Sequence, residues 1–339
     1  MRILQRFLCI SLAALSTVSN VHAQSSINGP FLGFTSGMGG TAILPIIGVP
    51  GASLLADSLP LGTAILGAVI APSQDYAIAL RTADAQIVVI DLSSGQITPA
   101  ATINPDGFVI AISPSGAAAA VYDAGTGYVQ IILHPQQSPQ VIQQLDASGV
   151  AGRPNTMAVS DDGTVVLAKF VDSGGANLWM LNSSGAVQRL PVDQPSAVAF
   201  FFNRQDAIIS DDATQSAIII MDAGQTAVQV PMISAIDGMA GFSSIAASAD
   251  GGRVFLADAT SGNIAMVDVQ TGQFVVVTCG CRPAGFYRLK GNSIFSLNEA
   301  SQQPISVLDA SSVQPRKLII PPRAPAESPN ASAKTEAAQ

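Results

Sequence analysis

"SADGGRVFLADATSGNIAMVDVQTGQ", residues 248–273, reads as two short apolar strands, each closed by a polar turn rich in Gly, Asp, Ser and Thr. Runs of that length between such turns are the signature of a β-hairpin rather than of a helix. Asp268 ends the second strand. A carboxylate at a strand end can be a catalytic group, a metal ligand or a turn residue, and the choice depends on whether the position recurs.

It recurs. The first turn has counterparts in "APSQDYAIAL" from Ala71, "SPSGAAAAVY" from Ser113, "SDDGTVVLAK" from Ser160, "NRQDAIIS" from Asn203 and "KGNSIFSLN" from Lys290. Each is followed by an apolar strand closed by a polar residue, giving the series Asp91, His134, Asn182, Asp222, Asp268 and Asp309, at intervals of 43, 48, 40, 46 and 41 residues. Four strand-like runs within about 40–50 residues is the repeat of a β-propeller blade. Blades pack on both faces, so runs such as "SAIIIM" and "FVVVT" need no polar side. An Asp or Asn in the closing slot accepts hydrogen bonds from backbone N–H groups two residues on, which explains its recurrence as turn chemistry.

The segment 248–277 resembles the S-P-D-G…V-A-N…V-I-D-x-x-T-G pattern of YVTN-type β-propeller repeat proteins, a group akin in fold to the β-chain of quinoprotein amine dehydrogenases. The remaining units match more weakly and extend the resemblance over roughly residues 60–322. The resemblance implies an all-β propeller of four-stranded blades, commonly seven, usually secreted and used as a binding or surface scaffold. It implies no reaction, because function on this fold is grafted onto loops. The hairpin-like "GPFLGFTSGMGGTAILPIIG" from Gly29 is equivalent to the last two strands of a blade. It favours a seven-fold ring, with a six-bladed ring carrying the hairpin at its seam as the alternative.

The ends bracket a single domain over residues 24–322. Residues 1–23 carry Arg2 and Arg6, an apolar run from Phe7 to Leu15, and Val21-His22-Ala23, the form of a signal peptide cleaved before Gln24. The run is too short to span a membrane. Cys9 lies inside it, away from the cleavage point. Residues 323–339 belong to a Pro-, Ala- and Ser-rich stretch of the composition that stays disordered. The expected address is the periplasm or the extracellular space. Of 15 Lys and Arg against 23 Asp and Glu, cleavage leaves 13 against 23, a net charge of −10. That balance disfavours nucleic acid and leaves no membrane insertion after cleavage; the expected partner is a protein or a small anionic ligand.

Catalytic constellations are hard to assemble. After cleavage the only histidine is His134, in the turn slot, and Glu299 is the only glutamate outside the tail. A multi-histidine metal site or a triad has few residues to draw on, and neither a metal nor a cofactor is called for. "GMGG" from Gly37 lacks the Lys-Ser/Thr of a phosphate loop, and Asp161-Asp162 and Asp211-Asp212 lack EF-hand spacing. Cys279 and Cys281 remain, and in an oxidising compartment they pair across Gly280 as a structural clip.

A ligand on such a ring sits at the face where loops entering the innermost strands meet the loops between second and third strands. Those loops bring Arg81, Arg153, Asp193, Asp212, Asp258, Arg282 and Glu299, with Asp123 and Asp172 in equivalent positions. Arg153 and Arg282 each precede a proline, and two cations on one funnel would hold a carboxylate or phosphate. The competing readings are pairing of each Arg with a loop Asp, a lactonase-like or quinoprotein-like enzyme in the funnel, and a scaffold that meets partners through its blade edges.

Overall fold

The computed structural model describes residues 29–224, 228–234, 236–301 and 303–322; the expected leader and tail lie outside these residues. The chain forms seven antiparallel sheets, six with four strands and one with three, and within each sheet strands adjacent in sequence are adjacent in space. This is a seven-bladed β-propeller, so the six-bladed alternative is not the one adopted. Blades two to seven span residues 65–102, 109–146, 153–189, 195–234, 244–278 and 287–320, and their innermost strands line an axial cavity.

Packing explains the apolar runs. In the second strand of blade two, Tyr76–Arg81, the side chains of Tyr76, Ile78 and Leu80 join an apolar cluster with Ala119, Val121 and Ile132 of blade three. Ala77 and Ala79 face the other way and pack with Phe34 and Ile43 of blade one. Alternation is present in the structure, but both faces are interior, so it leaves no polar trace in the sequence.

Blade one differs from the rest. It comprises β1 (Phe31–Ser36), β2 (Ile43–Val49) and β3 (Ala52–Leu55), in that order. In blades two to seven the innermost strand runs down from the upper face, which carries the incoming loops, to the lower face. β1 runs up. Near its start the Leu32 carbonyl accepts the Lys290 N–H (2.9 Å) from the lower turn of blade seven, and at its end the Ser36 carbonyl accepts the Ala300 N–H (2.8 Å) from that blade's upper loop. β1, β2 and β3 are therefore the counterparts of second, third and outermost strands. The hairpin expected from sequence gains a third strand, and among the described residues the blade has no innermost one.

A side chain occupies part of the vacant place. Gln74, in the lower turn of blade two, is 4% exposed; its Oε1 accepts the Phe34 N–H and its Nε2 donates to the Arg288 carbonyl. One amide thus ties blades one, two and seven. Gly33 permits the approach: its φ is +143°, and a Cβ there would lie 2.7 Å from Gln74 Oε1. Several other lower turns are stitched to the next one in sequence. Tyr76 donates to the Gly116 carbonyl (2.7 Å), Asp161 accepts from Ser115 N–H (2.7 Å) and Asn203 N–H (2.6 Å), and Asp250 accepts from Asn292 Nδ2 (2.6 Å).

Candidate functional site

The closing slot has turn geometry. Asp268 Oδ1 accepts the N–H groups of Gln270 (3.1 Å) and Thr271 (2.8 Å) and the Thr271 hydroxyl (2.9 Å), and these bonds hold its carboxyl below the usual carboxylate range. Asp91 and Asn182 repeat the pattern with Ser93 and Ser184. His134 and Asp222 instead sit at φ +46° and +49°, in the left-handed region where Asn, Asp and His are enriched.

On the upper face three further aspartates form a second recurring device. Asp123, Asp211 and Asp258 end the second strands of their blades and are 4%, 4% and 2% exposed. Each carboxylate caps its own turn and also accepts an N–H from the loop entering the same blade: Asn104 to Asp123 (3.1 Å), Gln194 to Asp211 (3.0 Å) and Ala240 to Asp258 (2.7 Å). A hydroxyl three residues on, Thr126, Thr214 or Ser261, supplies a further bond to each. Burial opposes the charge of Asp258, but the Ala240 N–H and the Ser261 hydroxyl outweigh it and its carboxyl lies below the normal range. Asp-x-x-Thr/Ser at a strand end was the available signal. Read by loop position alone, the slot in blade five goes to Asp212, one residue late. Asp212 instead accepts the Phe242 N–H (2.9 Å) from the loop entering blade six.

The other upper-face residues do not converge. Arg81 forms an ion pair with Asp84 (2.6 Å) and donates to Gln86 (2.6 Å), bracing its own turn. Asp193 is exposed. Arg153 and Arg282 belong to blades four and seven, as far apart as a ring of seven allows, and neither makes an ion pair among the described residues. Both are exposed. Lys169, on the second strand of blade four, went unnoticed in sequence; burial lowers its pKa, Asp212 opposes that shift, and it donates to the Ser196 carbonyl (2.8 Å).

Between blades six and seven, Cys279 and Cys281 flank Gly280 with Cα atoms 5.1 Å apart and their sulfurs in contact. Cys279 is buried.

Glu299 does line the axial cavity, whose volume is about 610 Å³. Its walls are mainly Ile, Val, Ala and Met from the innermost strands, among them Ile110, Met157, Ala158 and Ile245. Polar groups gather beside blade one. At the upper end Glu299 Oε2 accepts the Gly39 N–H (2.9 Å), and burial together with Glu299 raises the Tyr287 pKa. At the lower end Arg288 stacks over Phe295 (5.4 Å) and donates to the carbonyls of Ala247 and Asn292; burial lowers its pKa to about 10 against the opposing influence of Asp250.

No protein-family profile matches the chain, and no curated protein matches it in sequence. Solved structures do match its fold. A chain of Kuenenia stuttgartiensis hydrazine synthase aligns with a TM-score of 0.50 at 12% identity, over 89% of this chain and 98% of that one. A chain of a mitotic checkpoint complex gives 0.54 at 13% identity, over 94% and 90%. Virginiamycin B lyase from Staphylococcus aureus gives 0.54 at 13% identity, over 76% and 84%. At such identities the likeness is one of fold: a propeller shared by proteins with different activities.

Proposed function

We propose that this protein is an exported binding module of the YVTN propeller type, which recognises a ligand in its axial cavity and performs no chemistry on it. The observation that carries the reading is the cavity itself: about 610 Å³, walled mainly by apolar side chains, with a few polar groups gathered at one side. That combination of apolar wall and sparse orienting groups is what small-ligand sites have in common. Export by a leader at residues 1–23 belongs to the same reading, as does a Cys279–Cys281 disulfide formed in an oxidising compartment. Arg153 and Arg282, without an ion pair among the described residues and on separate blades, suit separate contacts with a larger acidic partner on the upper rim.

The test is a thermal-shift screen of small acids, amines, sugars and peptides on the wild type and on Ala158→Phe, which fills the cavity. Hits lost in the variant support the reading, since a ligand that binds only the folded state raises its apparent stability. Hits kept in full by the variant move the site off the axis.

A further inference from the structure

A disulfide between Cys279 and Cys281 closes a ring of three residues. The stabilisation a cross-link gives grows with the loop it closes, so this pair has little to offer as a staple. Its surroundings offer something else: one cysteine within reach and one held in.

The pair lies on the upper face, in the segment that leaves the outermost strand of blade six at Thr278 and enters blade seven at Tyr287. Cys279 packs in an apolar cluster with Phe255, Met266 and Phe295 and is 2% exposed, whereas Cys281 is partly exposed. Both rest on Gly262: its carbonyl accepts the Cys279 N–H (2.9 Å), and a Cβ on it would come 2.7 Å from the Cys281 carbonyl oxygen. Gly280 between them has φ +56°, a conformation that glycine takes without strain.

Two features favour sulfur anions there. The Cys281 N–H donates to Cys279 Sγ (3.0 Å), which offsets the burial that disfavours a thiolate at that position. From the outermost strand of blade seven, Lys317 brings its ammonium to 3.7 Å from the place a Cβ on Gly280 would take, and it makes no ion pair among the described residues. A cation beside a cysteine pair favours the thiolate form.

We propose that Cys279 and Cys281 form an exchangeable disulfide, a thiol-exchange site on the upper rim whose reaction partner is a dithiol. The outer sulfur is the one attacked. A thiolate of the dithiol bonds to Cys281 Sγ as the Cys279–Cys281 bond breaks, and the electron pair leaves on Cys279, which takes a proton from water. The second thiolate of the dithiol then attacks the partner sulfur of this mixed disulfide, and Cys281 leaves as a thiolate beside Lys317 until it too is protonated. The dithiol, having given up two protons, ends as a disulfide, and the protein pair ends as two thiols. The same steps in reverse oxidise the pair. This site is separate from the axial cavity and does not depend on it.

Thiol trapping and mass measurement on the full mature protein, whose two cysteines are these, test the proposal. Glutathione at about 1 mM and neutral pH should open the pair in the folded wild type, a condition under which structural disulfides stay shut. The unfolding midpoint should change little between the oxidised and reduced forms, as expected of so small a ring. Cys279→Ser should form a mixed disulfide with oxidised glutathione at Cys281, and Cys281→Ser should react about tenfold more slowly at the buried Cys279. Lys317→Gln should slow reduction of the wild-type pair by dithiothreitol several-fold, and Lys317→Arg should restore it. A pair that glutathione leaves shut, or a large fall in the midpoint on reduction, makes the disulfide a structural clip and overturns the proposal. Equal rates in the two single-cysteine variants, or two free thiols that oxidised dithiothreitol cannot join, also overturn it.

Discussion

The contact between blades three and four and the contact of blade one with its neighbours close the same ring by different means. At the first, complete sheets meet, and Tyr122, Met157, Phe170 and their neighbours form a continuous apolar cluster. At the second, an apolar cluster of Leu32, Ile46, Leu289 and Ile305 persists, but on the axial side a side-chain amide and two loop N–H groups stand where a strand would be. Burial therefore joins blades at both contacts. What it does not do is satisfy the edge of a sheet, and this protein meets that need residue by residue.

The largest expected effect breaks the difference directly. Gln74→Ala strands the buried Phe34 N–H and the Arg288 carbonyl and should cost about 2–4 kcal/mol in denaturant unfolding. Tyr76→Phe removes one bond between two complete blades and should cost about 1 kcal/mol. Equal losses would show that blade one is closed like every other. Asp258→Ala comes next, at about 2–3 kcal/mol, because its carboxylate joins an incoming loop to a turn and is nearly inaccessible. Asp268→Ala, in an exposed turn without the second loop, should cost clearly less by the same measurement.

Acid gives a smaller, graded effect on the lower stitching. Burial opposes the charge of Asp162, but the Ser160 hydroxyl, the Thr164 N–H and Gln205 outweigh it and bring its pKa to about 2. A depressed carboxyl pKa stabilises the fold fully above the unfolded value of about 3.9, and the gain is lost as pH falls towards the folded value. Wild type should therefore lose stability between about pH 4 and pH 2, and Asp162→Asn should flatten that part of the curve. A parallel loss in both would assign the acid sensitivity to other carboxylates. Smallest of all, Arg153→Ala with Arg282→Ala should leave the unfolding midpoint unchanged, as expected of exposed charges that form no ion pair among the described residues. A marked fall would reveal a structural role for one of them.

Much of the fold was legible because blade chemistry repeats in the chain: a turn, an apolar run and a closing Asp or Asn at intervals near 43 residues. Strand direction is not written that way. β1 looks like any apolar strand, and only its bonds to Lys290 and Ala300 show that it runs up the blade. Gln74 was equally silent, a polar residue in a polar turn whose long amide reaches two other blades. The candidate site was less legible than the fold. Position along a loop identified Glu299 but could not separate Asp211 from Asp212, which differ by the N–H groups that happen to face them.

Among the described residues every blade is cut from one continuous stretch of chain, and no strand is exchanged between the first and the last. Such a ring behaves like a split washer. While shut it has no end units, and each blade is supported on both sides. Once the cut opens, it becomes a linear stack with two exposed ends, in which each unit leans only on its nearest neighbours. Unfolding should then travel inwards from the split, with amide protons of blades one and seven exchanging first and those of blade four last.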